Sequence, residues 1–312
     1  MPSKLVQSSE IQQLLDRVSG QIAAGGNPRT KQIVRRIVSD LYTALDELDV
    51  TPEEFWSALS FLQQGAGEFG LIAPGLGFDR FLDIRMDEKD RAAGIQGGTP
   101  RAIEGPLYVH GAPLSRGYAR LDDGIDRGEV LIMHGRVVDV AGKPIAGAIV
   151  DVWHANTAGN YSYFDPSQSP YNNRRRIETD AAGRYKFQSV MPSGYAVPPQ
   201  GATERLMAAL GRHGKRPAHI HFFVSALGYR HLTTQINIAD DPLIHDDFAL
   251  ATREGLIPKI VRRAADQQKH SLAPQTAYAE IEFDFTLHPA RNEAEAALHA
   301  RPRVSWVESV SK

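Results

Sequence analysis

The reading of the fold turns on GRVVDVAGKPIAGAIVDVWHANTAGNYSYFD, residues 135–165. Its first part belongs to an alternating, β-branched run from Glu129 to Val140. Successive strand residues face opposite sides, so such a run buries one face and wets the other. Ala141-Gly142-Lys143-Pro144 reads as a turn, and Ile149, Val150, Val152 and Trp153 as the next strand. Downstream, Asp180-Ala181-Ala182-Gly183 forms a hairpin turn ahead of Tyr185 and Phe187. The stretches His219–Ser225 and His231–Ile238 flank a turn at Leu227-Gly228-Tyr229. Ile281, Phe283, Phe285 and Leu287 alternate with Glu280, Glu282, Asp284 and Thr286, as one strand with a wet face would. A helix around Asp247–Ala265 interrupts the strands. Many short antiparallel strands separated by turn signals predict a β-sandwich.

Upstream of this block the period changes to that of helices. Ile11, Leu14, Leu15, Val18 and Ile22 recur at helical spacing until Gly25-Gly26. Asn27-Pro28 has the form of an N-cap followed by Pro at the first helical position. Behind it runs an apolar stripe of Ile33, Val34, Ile37, Val38, Leu41, Leu45 and Leu48. Thr51-Pro52-Glu53-Glu54 is a capping box that opens a helix with Phe55, Trp56, Leu59 and Leu62. A glycine-rich break from Gly65 to Gly77 precedes a short helix around Phe78–Met86. The expectation is an α+β chain that is mainly β, with a helical N-terminal domain over 1–104 and an antiparallel β-sandwich over 105–312. The stripe either packs on the sandwich or forms a symmetric interface with a second copy; periodicity does not choose.

Composition narrows the chemistry. The chain has 312 residues and a formal charge of −2, so no overall basic field points to nucleic acid. No run approaches the roughly 18 apolar residues of a membrane span, and MPSKLVQSSEIQQLL lacks a signal-peptide core, so a cytoplasmic location is expected. Cysteine is absent, which removes disulfides, thiolate metal sites and a cysteine nucleophile together. Any metal must then be held by His, Tyr, Asp or Glu.

Three segments carry candidate ligands. In Arg216-Pro217-Ala218-His219-Ile220-His221, a strand would point both histidines to one face with Arg216 beside them. Trp153–Ser162 ends a strand in a polar loop presenting Tyr161, and Pro192–Pro199 is a rigid loop presenting Tyr195. Two histidines alone are common on a wet strand face, and a lone loop tyrosine usually keeps its hydroxyl in water. Together they suggest another chemistry, because phenolate is a hard, strongly donating anion suited to Fe(III). Two histidines with one carboxylate from Asp240, Asp241, Asp246 or Asp247 would instead suit Fe(II). A sandwich module that only binds is the third reading.

IEGPLYV (103–109), residues 135–165, MPSGYAVPP (191–199), RPAHIHFFVSALGYRHLTTQIN (216–237) and DDFALATREGL (246–256) resemble the intradiol ring-cleavage dioxygenases. The likeness extends to EFGLIAPGLG (68–77) in the helical region and is nearest the branch acting on catechol itself. The resemblance implies one non-haem Fe(III) per subunit, held by Tyr161, Tyr195, His219, His221 and a hydroxide. It places Tyr161 and His219 equatorially and Tyr195 and His221 axially. Tyr195 would be the ligand that leaves and takes a proton from the substrate. Arg216 would stand beside the substrate and Gln235 just behind the metal. The walls of a flat apolar slot would be Leu71, Pro74, Ile103, Pro106, Leu107, Phe248 and Ala249. The implied reaction cleaves catechol with O2 to cis,cis-muconate, within aromatic catabolism by the β-ketoadipate pathway; hydroxyquinol and chlorocatechol are the alternative substrates. The same resemblance implies a homodimer through the N-terminal helices, with a phospholipid-like amphiphile at the interface.

Overall fold

The computed structural model describes residues 5–265, 276–292 and 295. Trp306, an aromatic residue whose presence suggests that part of the C-terminal tail packs, lies outside them. The chain divides into two compact units, Met1–Ala66 and Gly67–Lys312.

The first unit is helical. It comprises α1 (Ser9–Val18), α2 (Pro28–Glu47) and α3 (Pro52–Gln64). The three starts follow local chemistry. Ser8 accepts from the Ile11 amide, Asn27 from Arg29 and Thr30, and Thr51 and Glu54 close the capping box. Arg35 joins α2 to α1 through Asp16 at 2.9 Å and Gln12 at 2.8 Å. No residue of α2 or α3 is buried. Ile33, Ile37, Leu41 and Leu48 of the α2 stripe are exposed, as are Phe55, Trp56, Leu59 and Leu62 on α3.

The second unit takes in the last part of the helical region expected over 1–104. It opens with α4 (Phe69–Gly75) and α5 (Phe78–Ala92), which are anchored to later parts of the chain. Glu68 accepts from the Ala202 and Thr203 amides at 2.9 Å each, supplying the N-terminal cap of α6 (Ala202–Ala209). Asp83 and Asp90 of α5 pair with Arg253 and Arg230. Two expectations about helices are corrected. The glycine-rich stretch holds α4, with Pro74 tolerated near its last turn. Conversely, no α-helix spans 247–265. Asp247 accepts from the Ala249 and Ala251 amides, Leu250 adopts φ +53°, and the chain continues through a 3-10 turn (Glu254–Leu256) into a strand.

The remaining strands are β1 (Leu114–Arg116), β2 (Tyr118–Arg120), β3 (Val130–Asp139), β4 (Ile149–His154), β5 (Arg174–Glu178), β6 (Arg184–Val190), β7 (Tyr195–Ala196), β8 (Lys215–Arg216), β9 (His219–Ser225), β10 (Leu232–Asn237), β11 (Ile260–Arg263), β12 (Tyr278–Glu282) and β13 (Phe285–Leu287). One sheet has the order β1-β5-β4-β9-β10 and the other β11-β12-β3-β6-β2, with β13 also on β3. Most neighbours are antiparallel; β1–β5, β2–β6, β12–β3 and β13–β3 run parallel. The facing surfaces enclose a core that includes Leu131, Met133, Val137, Val150, Val152, Phe187, Ile220, Phe222, Ile236, Ile281 and Phe285.

The expected single strand Ile281–Leu287 is broken into β12 and β13. The Phe283 carbonyl sits directly over Gly135 of β3, where a Cβ would come within 1.8 Å of it. Only glycine permits that approach. The Tyr185 hydroxyl donates to the same carbonyl at 2.7 Å. Among the described residues, no helix is long and apolar enough to cross a membrane.

Candidate metal centre

β9 carries two of the candidate ligands. Ile220 points into the core, so His219 and His221 on either side of it emerge from the opposite face. The register sets His221 opposite both Trp153 on β4 and Gln235 on β10. The Trp153 and His221 rings stack with centroids 4.9 Å apart and planes 8° from parallel. The two histidine Nε2 atoms stand 3.0 Å from each other.

The tyrosines arrive on two loops that touch. Asn156 shapes the first by accepting, through its side chain, from the Ala158 and Asn160 amides. Its carbonyl accepts from the Ser193 amide at 3.2 Å, which ties this loop to the one bearing Tyr195. Gly159 lies at the contact with φ +81°, and a Cβ there would be 2.7 Å from the Gly194 carbonyl oxygen and 3.0 Å from the Tyr195 Cβ. Tyr195 then pairs with Arg216 in the β7–β8 ribbon. The two tyrosine rings are perpendicular, 5.7 Å apart, and the Tyr195 ring is 5.6 Å from that of His219. The Tyr161 hydroxyl is 3.5 Å from the His219 Nε2.

Arg216 is buried and held on several sides. Its Nε and one terminal nitrogen each lie 3.1 Å from an Asp247 carboxylate oxygen. The same terminal nitrogen donates to the Gln235 side-chain oxygen at 2.8 Å, and the other stands 3.0 Å from the His219 Nε2. Gln235 in turn donates to Asn237 at 3.1 Å. Burial alone would weaken the guanidinium's hold on its proton, but Asp247 and Tyr195 outweigh it, so Arg216 is a permanent cation.

The electrostatics suit a cation bound by neutral imidazoles and ionised phenols. The His219 Nδ1 lies 2.7 Å from the Pro217 carbonyl, which assigns its proton there and leaves the Nε2 lone pair facing the cluster. Burial, then Arg216, pushes His219 down to about 3; burial, then His219, drives His221 well below its ordinary range. Burial, then Tyr195, pushes the Tyr161 phenol well above its ordinary range. A phenol in that setting ionises only against a strong positive charge. Two facing imidazole nitrogens and a buried phenol therefore fit a hard, strongly charged metal ion. The carboxylate alternative fits less well. Asp240 pairs with Arg262, Asp246 with His213, Asp247 with Arg216, and Asp241 accepts from the Ala218 amide. Among the described residues, no cluster of three or more His, Asp or Glu is placed to hold a metal.

Residues 103–289 match the family described as Dioxygenase, and residues 27–94 the one described as Catechol dioxygenase N terminus. The chain belongs to the intradiol dioxygenase family. Its relatives include catechol 1,2-dioxygenase 2 of Acinetobacter lwoffii, 60% identical over 83% of this chain and 94% of that one. The crystal structure of catechol 1,2-dioxygenase from Pseudomonas arvilla C-1 superposes with a TM-score of 0.93 at 49% identity, covering 98% of this chain and 100% of that one. A hydroxyquinol 1,2-dioxygenase of Rhizobium is more distant, at 32% identity over 84% of this chain and 90% of its own.

Beside the candidate ligands of this intradiol dioxygenase lies an apolar cluster. Ile103, Val197, Met207, Phe248, Ala249 and Ala251 are buried together, with Leu71 and Leu206 packed against them. Pro74 is buried on α4. Leu107 belongs to a second group with Tyr108, Trp153, Tyr161, Phe223 and Tyr195. Pro106 is exposed and lies against Gly70. The segment passes the centre closely, for a Cβ on Gly105 would stand 3.5 Å from the His221 ring. Sequence reasoning missed Trp153 as the partner of His221, Asp247 as the anchor of Arg216, and Met207 and Val197 in the apolar cluster. In DDF (246–248) the aspartates carry turn signals, and nothing local distinguishes the one that meets an arginine 31 residues earlier.

Proposed function

We propose that this protein is a catechol 1,2-dioxygenase that cleaves catechol between its two hydroxylated carbons, both atoms of O2 entering cis,cis-muconate. The observation that carries the reading is the convergence of two histidine Nε2 atoms and two tyrosines beside a buried Arg216. Tyr161, Tyr195, His219 and His221 would hold one Fe(III) per subunit. Bound Fe(III) supplies the Lewis acidity that draws both protons from catechol and the electronic coupling that opens the ring to O2.

The chain's own residues do the rest. Tyr195 is half-buried on a two-residue ribbon, so of the two tyrosines it would be the one to accept a proton from the substrate. Arg216, fixed by Asp247 and Gln235, presents a preorganised cation to negative charge developing on the ring. Ile103, Phe248, Ala249 and Leu71 offer a flat aromatic ring an apolar wall and keep water from it. Pro74, Pro106 and Leu107 complete the proposed slot.

The exposed stripe Ile33–Leu48 supports a homodimer through the helical unit. The mainly apolar cavity of about 390 Å³ lined by Leu5, Val6, Ile11, Leu14, Tyr42, Leu45 and Asp46 supports an amphiphile as a further occupant. A cytoplasmic location is proposed with them.

Anaerobic titration with catechol, hydroxyquinol and 4-chlorocatechol, followed by O2, tests the reading. A red protein whose colour changes with catechol and which then forms cis,cis-muconate supports it. Ferrous, colourless protein, or a product opened beside rather than between the hydroxyls, overturns it.

A further inference from the structure

Arg174 lies on β5 in register with Trp153 and is about 1% exposed. Its guanidinium carbon is 5.7 Å from the centroid of the Tyr161 ring, within the range of a cation–π contact. The Nε donates to the Ser162 hydroxyl at 2.8 Å and one terminal nitrogen to the Ser162 carbonyl at 3.1 Å. The Ser162 hydroxyl donates onward to the Asn172 carbonyl at 2.9 Å. The guanidinium is thus clamped to the residue that follows Tyr161. Its other terminal nitrogen is buried and has no hydrogen-bond partner among the described residues. A buried cation without a matched anion is unfavourable.

We propose that Arg174 tunes Tyr161 as a ligand: a cation clamped over its ring, it adds to Arg216 in favouring the tyrosinate and tempers how strongly that oxygen donates to the metal. The inference rests on the ligand set proposed above. The two proposed tyrosine ligands would then meet different cations: Arg174 stands over the Tyr161 ring, while Tyr195 lies beside Arg216. Arg174 is a positioning residue, since it acts through Tyr161.

The test compares the iron-loaded parent with Arg174→Gln and Arg174→Lys by visible absorption and by iron retention against a chelator. A cation over the ring lowers the energy of the phenolate's donor electrons. Removing it should move tyrosinate-to-Fe(III) charge transfer to longer wavelength and weaken iron retention roughly 10- to 100-fold. Arg174→Lys should restore part of both. An Arg174→Gln protein with the parent's band and the parent's iron retention overturns the proposal, as does a loss of melting temperature with no shift of the band. Should Arg174→Gln fail to fold, Ser162→Ala keeps the charge but loosens its clamp; a smaller shift in the same direction supports the proposal, and no shift overturns it. A colourless iron-loaded parent would instead overturn the ligand set itself.

Discussion

Asp247→Asn isolates the charge that holds Arg216 in place. The parent pair is fully buried, with two contacts of 3.1 Å. Asparagine keeps the shape and can still accept from the Ala249 amide, but it leaves the guanidinium without its anion. Breaking one side of such a buried pair costs about 3–5 kcal/mol. For a domain of this size that is a fall in melting temperature of about 6–20 °C. Turnover should fall roughly 10²- to 10³-fold, the loss typical of removing one oriented electrostatic group. Iron content should be kept, because Asp247 is not among the four proposed ligands. The pH dependence has a definite sign. Burial raises the Asp247 carboxyl, but Arg216 outweighs it and holds the group below its ordinary value of 3.8. The stability this contributes is fully present above 3.8 and is lost as pH falls through the lower folded value. The gap between parent and variant should therefore be constant near neutrality and close only in strong acid. Calorimetry of the metal-free proteins, iron analysis and the rate of muconate formation measure the three effects. A variant within about 1 kcal/mol of the parent, or one with unchanged turnover, would refute the account of Arg216 as a cation dependent on Asp247.

Leu71→Ala opens the apolar wall beside Ile103, Phe248 and Ala249, and should raise the kcat/KM ratio of 4-methylcatechol to catechol about tenfold; an unchanged ratio removes Leu71 from the slot. His154 is buried, its Nδ1 2.7 Å from the Ala155 carbonyl and its Nε2 2.8 Å from the Ser189 hydroxyl, and burial pushes it down to about 4. As pH falls from about 6.5, the unfolded chain takes up a proton that the folded chain refuses, so this residue's share of stability, about 3 kcal/mol, is lost by about pH 4. Denaturant unfolding of His154→Gln should accordingly show a shallower decline over that window, and an identical slope would reject the assignment. Ile37→Asp places a charge on the exposed stripe of α2 and should turn a dimer into monomers by sedimentation; a retained dimer would put the interface elsewhere.

Legibility followed the range of the interactions. Caps at Ser8, Asn27 and Thr51 are decided within three residues, and two of them could be named in advance. The alternation in Glu129–Val140 and at Ile149–Trp153 marks strands because one face of each must be buried. The misread stretches are those where a distant partner outbids the local pattern. Helical spacing after Asp247 lost to its pairing with Arg216 and to β11 pairing with β12. The last strand lost its continuity to Gly135, more than a hundred residues earlier. The later helices belong to the second compact unit for the same reason, since Glu68, Asp83 and Asp90 bind groups far along the chain.

The sequence by itself determined the vocabulary of the candidate metal site. It has no cysteine, two histidines at strand spacing, two tyrosines in loops rich in small and turn-forming residues, and an arginine at the head of the histidine strand. Those are properties of residue type and short separation, which a chain carries whether or not it is folded. Only the tertiary structure decided which groups surround them: Trp153 stacked on His221, Asp247 and Gln235 around Arg216, Arg174 over Tyr161. These contacts form where β4, β5, β9 and β10 lie side by side and where two loops touch at Gly159. Strand order and loop packing depend on burial summed over the whole sandwich, so no local stretch specifies them.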